Sequence, residues 1–224
     1  AATDYKNSNV LAIDLSISSL KYAKRKSEEL GVNNIEYIQL DILDLNKLNR
    51  KFDIIICAGV LHHMNNPLKG WSVLTSCLHE GGLIYVGLYS KFARKELNSL
   101  REEISEKGIK YNNAQIKSYR DLLIRSTLDR NKWVINSQDF YSTSMFRDFL
   151  FHTQEEQFTL PEIKKIINDL DLIFCGFADF RILNLFKKEN KSSFDLYNLD
   201  KWHLFESNNP HIFRGMYQFW CQKK

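Results

Sequence analysis

The 224 residues hold nine glycines, and no two of them stand as G-x-G. The chain therefore lacks the glycine-rich phosphate turn that normally opens a nucleoside-binding α/β unit. Cysteine is sparse and dispersed. Cys57, Cys77, Cys175 and Cys221 include no C-x-x-C, and they read as buried free thiols of a reducing compartment, which makes the expected location cytoplasmic. No apolar run reaches the length of a membrane span and no stretch resembles a signal peptide, so no membrane partner is expected. Charge of one sign is not in excess either. Lys and Arg number 31 against 27 Asp and Glu, a net +4, and the basic residues are scattered or lie on helix faces, so nucleic acid is not an indicated partner. Internal repeats and low-complexity stretches are missing. The remainder is ordinary for a globular chain, 44% hydrophobic and 26% charged. Its length suits one domain with a sizeable core and a small cap or insertion.

The most informative positive feature is Val10-Leu11-Ala12-Ile13-Asp14-Leu15-Ser16. A β-branched, apolar run ends on one acid and passes straight into a helical pattern over 17–30, with Ser16 as N-cap and Gly31 just past its end. Ile35-Glu36-Tyr37-Ile38-Gln39-Leu40-Asp41 again ends on an acid, and Phe52-Asp53-Ile54-Ile55-Ile56-Cys57-Ala58 is continuously apolar, as in the centre of a parallel sheet. A helix over 67–79 opens near Pro67, and a fourth strand covers 83–89. This β-α-β-loop-β-α-β order predicts a doubly wound, mostly parallel, Rossmann-like α/β sheet. Residues 91–158 are charge-rich, with helical patterns near 93–107 and 115–129, and read as a helical cap inserted between a core of 1–90 and 159–224. The second core segment predicts a helix at 161–170, a strand at 172–177, a polar connection over 184–210 with a helix near 199–206, and a last strand at 215–221. That ending suggests a hairpin-like closure of one sheet edge.

Strand-end acids project to the binding edge of such a sheet, so Asp14 could take ribose hydroxyls and Asp41 an adenine amino group; alternatively each simply caps the next turn. Asp44 reads as a turn residue, and Asp53 lies at the opposite edge. After the third strand, Ala58-Gly59-Val60 lets a planar ligand approach the backbone, and His62 and His63 stand at the rim. Adjacent histidines with no third ligand at a suitable spacing do not make a metal site, so none is expected. One of them could serve as general base or orient a substrate, or could merely pack.

Taken in order, Ile13-Asp14-Leu15-Ser16, Leu40-Asp41-Ile42, Phe52-Asp53-Ile54-Ile55, Gly59-Val60-Leu61-His62-His63-Met64 and Leu78-His79-Glu80-Gly81-Gly82-Leu83 resemble successive motifs of class I S-adenosylmethionine-dependent methyltransferases. Downstream, Asp139-Phe140-Tyr141-Ser142-Thr143-Ser144, Arg147-Asp148-Phe149-Leu150-Phe151-His152-Thr153-Gln154-Glu155, Phe158-Thr159-Leu160-Pro161 and Gly215-Met216-Tyr217-Gln218-Phe219-Trp220 resemble a bacterial subgroup often fused to tetratricopeptide repeats. The resemblance implies S-adenosylmethionine as cofactor, with Asp14 on the ribose, Leu15 against the adenine, Asp41 and Ile42 at the adenine edge, and Ala58, Gly59 and Val60 near the methionine part. It places His62 or His63 before the nucleophile, with Tyr89 as a further rim residue and Tyr141, His152 and Gln154 on the substrate side. The expected function is methyl transfer to a small or medium-sized nucleophilic acceptor or a modified polymer. The family's first strand and its glycine-rich loop are not in this sequence, so the chain is expected to be an N-terminally truncated fragment, destabilised and weak in cofactor binding on its own. Two rivals are a nicotinamide-dependent oxidoreductase, with Tyr22-x-x-x-Lys26 or Tyr197-x-x-x-Lys201, and a non-catalytic binding module that kept the fold.

Overall fold

A computed structural model of the chain describes residues 2–3, 7–109, 112–126, 128–137, 140–151, 155–190 and 193–224. The first half alternates strand and helix: β1 (Val10–Asp14), α1 (Ile17–Glu29), β2 (Ile35–Gln39), β3 (Phe52–Ala58), α2 (Pro67–Ser76) and β4 (Leu78–Leu88). Four helices follow, α3 (Lys95–Glu106), α4 (Asn113–Arg125), α5 (Asp129–Ile135) and α6 (Thr143–Phe151). The chain returns through α7 (Leu160–Asp169), β5 (Leu172–Phe177), α8 (Phe180–Glu189), α9 (Leu199–Asn208) and β6 (Tyr217–Lys223). Short 3-10 turns occupy Ile42–Leu48, Leu61–His63 and Ser193–Tyr197.

The expected mixed α/β architecture is present, with two refinements. First, β6 does not close an outer edge. It runs between β4 and β5, antiparallel to both, in a four-stranded order β3-β4-β6-β5. Second, β1 and β2 pair in parallel as a separate two-stranded sheet. Among the described strands, β1, β2, β3 and β5 thus have one neighbour each, and no described pairing joins the two sheets.

Alternation along the strands sorts the four-stranded sheet into two unlike faces. Ile55, Cys57, Ile84, Val86, Phe174, Phe219 and Cys221 lie in the main core with Trp71, Ile163, Ile167 and Trp202. On the other face, Ile54 is 41% and Ile56 51% exposed; the register sets Ile56 beside Tyr85 and Tyr85 beside Trp220. A parallel strand normally buries both faces, so this second face is open where its neighbours would cover it. Helices α3, α4 and α6 pack on a core of their own, including Leu97, Leu100, Ile104, Ile116, Leu123, Phe146 and Leu150.

Several elements were not foreseen. Helix α8 falls partly in the expected polar connection; Asp179 caps it by accepting from Arg181 N at 2.8 Å, and Ile182 and Phe186 supply a buried i, i+4 pair. Helices α5 and α6 extend the two expected in the insertion to four. Strand β4 starts at Leu78, opposite Phe52, and carries a register shift before Leu83, so α2 ends earlier than the expected helix. Helix α7 opens with a full capping box, Thr159 accepting from the Glu162 backbone and Glu162 reciprocating.

One buried carboxylate ties three elements together. Glu206 of α9 is fully buried and accepts from Ser90 Oγ at 2.6 Å and from the Tyr217 hydroxyl at 2.7 and 2.6 Å. Burial raises its pKa above the ordinary 4.5, and the two hydroxyl donors only partly offset this. With the native value raised, the folded state holds the proton longer than the unfolded state. The group's contribution to stability is full below about pH 4.5 and declines as pH rises through the native pKa. Glu206→Gln keeps an acceptor oxygen and removes the titration, so urea midpoints measured from pH 4.5 to 8 are expected to fall less steeply in the variant. Identical slopes would show that Glu206 carries no such linkage.

Candidate active site

The carboxyl-end edges of β1, β2 and β3 carry the residues singled out above. Asp14 is exposed at the end of β1, and its Oδ1 accepts from Ser16 N at 2.8 Å. Asp41 follows β2, and its Oδ1 accepts from Leu43 N at 2.9 Å as N-cap of the following 3-10 turn. Both acids therefore do cap the chain after them, but each spends one oxygen on it, and no described partner takes the other. The two edges are stitched by Leu40 N to Asp14 O at 3.2 Å and by Gln39 Nε2 to Leu15 O at 2.9 Å. Leu15, next to Asp14, is 66% exposed, and Ile42, next to Asp41, is half-buried; Val60, past the end of β3, is 43% exposed.

At the end of β3, Gly59 has φ +77° and open space where a side chain would sit, a conformation that glycine adopts without strain. Across from it, a side chain on Gly87 would come within 3.0 Å of Ala58 Cα and Cβ. The close approach of β4 to β3 at this edge leaves the Ala58–Val60 backbone as a shallow platform.

The histidines are not alike. His62, expected at the rim, is 0% exposed; it belongs beneath the rim because the Leu61–His63 turn directs it under Tyr89. Its ring lies 3.8 Å from the Tyr89 ring at 32°. Neither nitrogen makes a well-formed hydrogen bond, the Gly87 carbonyl offering only a weak one. Burial, then the neighbouring His63, drive its pKa down to about 3, with Glu155 opposing and Arg94 reinforcing the shift. His62 is thus neutral at physiological pH. His63 is half-buried, with its ring 4.3 Å from His62 and 5.9 Å from Tyr89, edge-on to both.

Tyr89, just past β4, also meets Arg94, whose guanidinium carbon is 3.5 Å from the ring centroid. Arg94 lies 4.0 Å from Glu155, which is bound at 2.9 Å by Arg101. The Arg94–Glu155–Arg101 cluster has no signature in the sequence, because residues about sixty positions apart leave no local pattern; Glu155 stands there only at the end of the Arg147–Glu155 motif. Tyr141 is 71% exposed and its ring contacts Phe140 at 5.5 Å; no described contact joins it to His62, His63 or Tyr89. His152 and Gln154 lie outside the described residues. Tyr22 and Lys26 sit on α1 away from the strand-end edge, Lys26 being paired with Glu29 at 2.6 Å, and Tyr197 stands beside Gly176 of β5. No group of three metal-ligating side chains occurs among the described residues, and no described helix is long and apolar enough to cross a membrane.

Known proteins resemble the chain in sequence and in fold. The sequence model of a family described as "Methyltransferase domain" matches residues 1–146. An uncharacterized protein of Synechococcus sp. is 28% identical over 194 residues, which is 80% of this chain and 46% of that protein. The structure of PKMT2 from Rickettsia typhi in complex with AdoHcy superposes with a TM-score of 0.70 at 18% identity, covering 98% of this chain and 45% of that one. Magnesium protoporphyrin IX methyltransferase (ChlM) from Synechocystis with bound SAH gives a TM-score of 0.50 at 14% identity, covering 96% of this chain and 64% of that one. The chain thus spans about half the length of the first two.

Proposed function

Because this chain belongs to the methyltransferase domain family, we propose that its strand-end edge binds S-adenosylmethionine and that the adjoining rim presents a nucleophilic acceptor to it. The observation that carries the reading is the pair Asp14 and Asp41 on adjacent parallel strands. Each is anchored through one oxygen and open through the other, with Leu15 and Ile42 as apolar flanks. That set fits the nucleoside half of the cofactor: a carboxylate for the ribose diol, a second for the adenine amino group, and two aliphatic surfaces for the base. For the methionyl half this chain offers the Ala58–Val60 platform, where the open space at Gly59 admits close approach.

The bound cofactor supplies a methyl group already activated by its positive sulfur, so the protein's task is alignment and, where needed, deprotonation of the acceptor. His63 is the better placed of the two histidines to accept that proton at a ring nitrogen, since it is half-buried while His62 is sealed. Tyr89 walls the same rim, and the helical unit α3–α6 limits the acceptor to a small or medium-sized molecule or the end of a modified polymer.

The separation of the β1-β2 pair from the four-stranded sheet, with the open face at Ile54 and Ile56, supports a second part of the proposal, a strand between β1 and β3. In the longer protein a further strand and its glycine-rich turn fill that slot, and tetratricopeptide repeats are its expected companions. The test is calorimetric titration of the full-length protein with S-adenosylhomocysteine and with NADH. Binding of the first alone is the expected result. NADH alone would make the protein an oxidoreductase, and silence from both would leave a binding module that kept the fold.

A further inference from the structure

The buried cation that this reaction does not use is Arg94. It is 4% exposed, at the start of the helical unit. Its guanidinium carbon and the His62 ring lie 3.5 and 3.8 Å from the same Tyr89 centroid. Two groups that close to one ring centre cannot share a face without collision, so the phenol ring is held between imidazole and guanidinium. Arg94 Nε and both ring nitrogens of His62 lack hydrogen-bond partners of good geometry. Its carboxylate neighbour Glu155 is committed elsewhere, to Arg101 Nη2 at 2.9 Å and Gln157 Nε2 at 3.0 Å. Gln157 is itself locked by reciprocal amide bonds to Asn98, both 2.9 Å. A buried guanidinium without a bidentate carboxylate is costly to retain, and an aliphatic side chain of similar volume would serve packing better.

We propose that Arg94 is a positioning residue for the acceptor rim: lying on Tyr89, it clamps the phenol ring against His62, so that the start of the helical unit sets the geometry of a rim built on the sheet. This rests on the methyltransferase reading of that rim. The segment returning from the helical unit is stitched to the same residues by its backbone. Glu156 N donates to His62 O at 2.8 Å, Phe158 N to Tyr89 O at 2.9 Å, and Lys91 N to Phe158 O at 2.9 Å. A shift of the helical unit would therefore reach Tyr89 and His62 through main chain and side chain together. The charged groups acting on His62 are His63 and Arg94, which disfavour the imidazolium, and Glu155, which favours it; with burial, the sum keeps the ring neutral.

The test reads the stack itself. In NMR spectra of the full-length protein near neutral pH, the His62 ring protons should be displaced by the Tyr89 ring current. Arg94→Gln is expected to move them toward the positions of an unstacked histidine, and Arg94→Lys, a cation without the plane, to restore them only in part. Leu123→Ala, which opens a cavity in the helical core, is expected to leave them in place, although it destabilises the same unit. Unchanged His62 signals in Arg94→Gln, or an equal displacement in Leu123→Ala, would overturn the proposal. S-adenosylhomocysteine affinity in Arg94→Gln is expected to stay within about twofold of the unsubstituted protein; a loss above about tenfold would put Arg94 in the cofactor site and overturn its positioning role. No binding by the unsubstituted protein would sink the methyltransferase reading and the acceptor role with it, even if the spectra show the stack intact.

Discussion

Asp14→Ala is expected to weaken binding of S-adenosylhomocysteine to the full-length protein by about tenfold to a hundredfold. The estimate follows from hydrogen bonds to a charged acceptor, worth roughly 1.5–3 kcal/mol, with each 1.4 kcal/mol a factor of ten. The alanine variant also loses the bond from Ser16 N that closes the turn into α1, so part of its effect would be structural. Asp14→Asn separates the two. Its amide oxygen still accepts from Ser16 N, which should hold the melting temperature near that of the unsubstituted protein. The atom facing the ribose becomes an amide donor in place of a carboxylate oxygen, so affinity should still fall. Asp41→Ala should cost less, because adenine offers one amino group where the ribose offers two hydroxyls. Calorimetry on the three variants checks the order. An Asp14→Asn protein that binds within about twofold of the unsubstituted one would remove Asp14 from the site.

This part of the site was legible in the sequence for a physical reason. A parallel strand buried on both sides must be apolar throughout, so a single acid at its end stands out, and chain direction alone puts it at the binding edge. The same logic made β1 and β3 visible, partial alternation ending on Asp41 made β2 visible, and the apolar run of 172–177 made β5 visible. It could not show that β6 slips between β4 and β5, because both insertion and edge closure need the same alternating pattern. His62 and His63 illustrate the opposite limit. Neighbours in sequence, one is sealed and the other half-exposed, and only the packing of Tyr89 over the turn decides which. The Arg94–Glu155 pair, likewise, exists only once the helical unit has folded back on the sheet. Helices α5 and α6 were hidden by their shortness, 7 and 9 residues, too few for helical periodicity to declare itself against a charged background.

The open sheet face yields the second large effect. Ile54→Ser and Ile56→Ser would be nearly neutral in a protein that leaves these side chains 41% and 51% exposed, since substitutions at such surface positions fall within about 0.5 kcal/mol. If, as proposed, a further strand stands between β1 and β3 and its connection covers this face, each isoleucine becomes core. Each change should then cost about 1.5–3 kcal/mol, the worth of a fully buried aliphatic side chain. Chemical denaturation of the full-length protein decides between these, with two internal references. Leu122→Ser, at 49% exposure on α4, should be near-neutral in either case. Ile55→Ala, 9% exposed on the covered face of β3, should cost about 2–5 kcal/mol in either case. Should Ile56→Ser behave like Leu122→Ser, the face is open in the whole protein, and the proposal of a strand between β1 and β3 fails. Should it behave like Ile55→Ala, the exposed isoleucines mark where the rest of the protein packs. The cofactor edge beside them would then be completed by residues outside these 224, with the carboxylates at Asp14 and Asp41 as this chain's share of it.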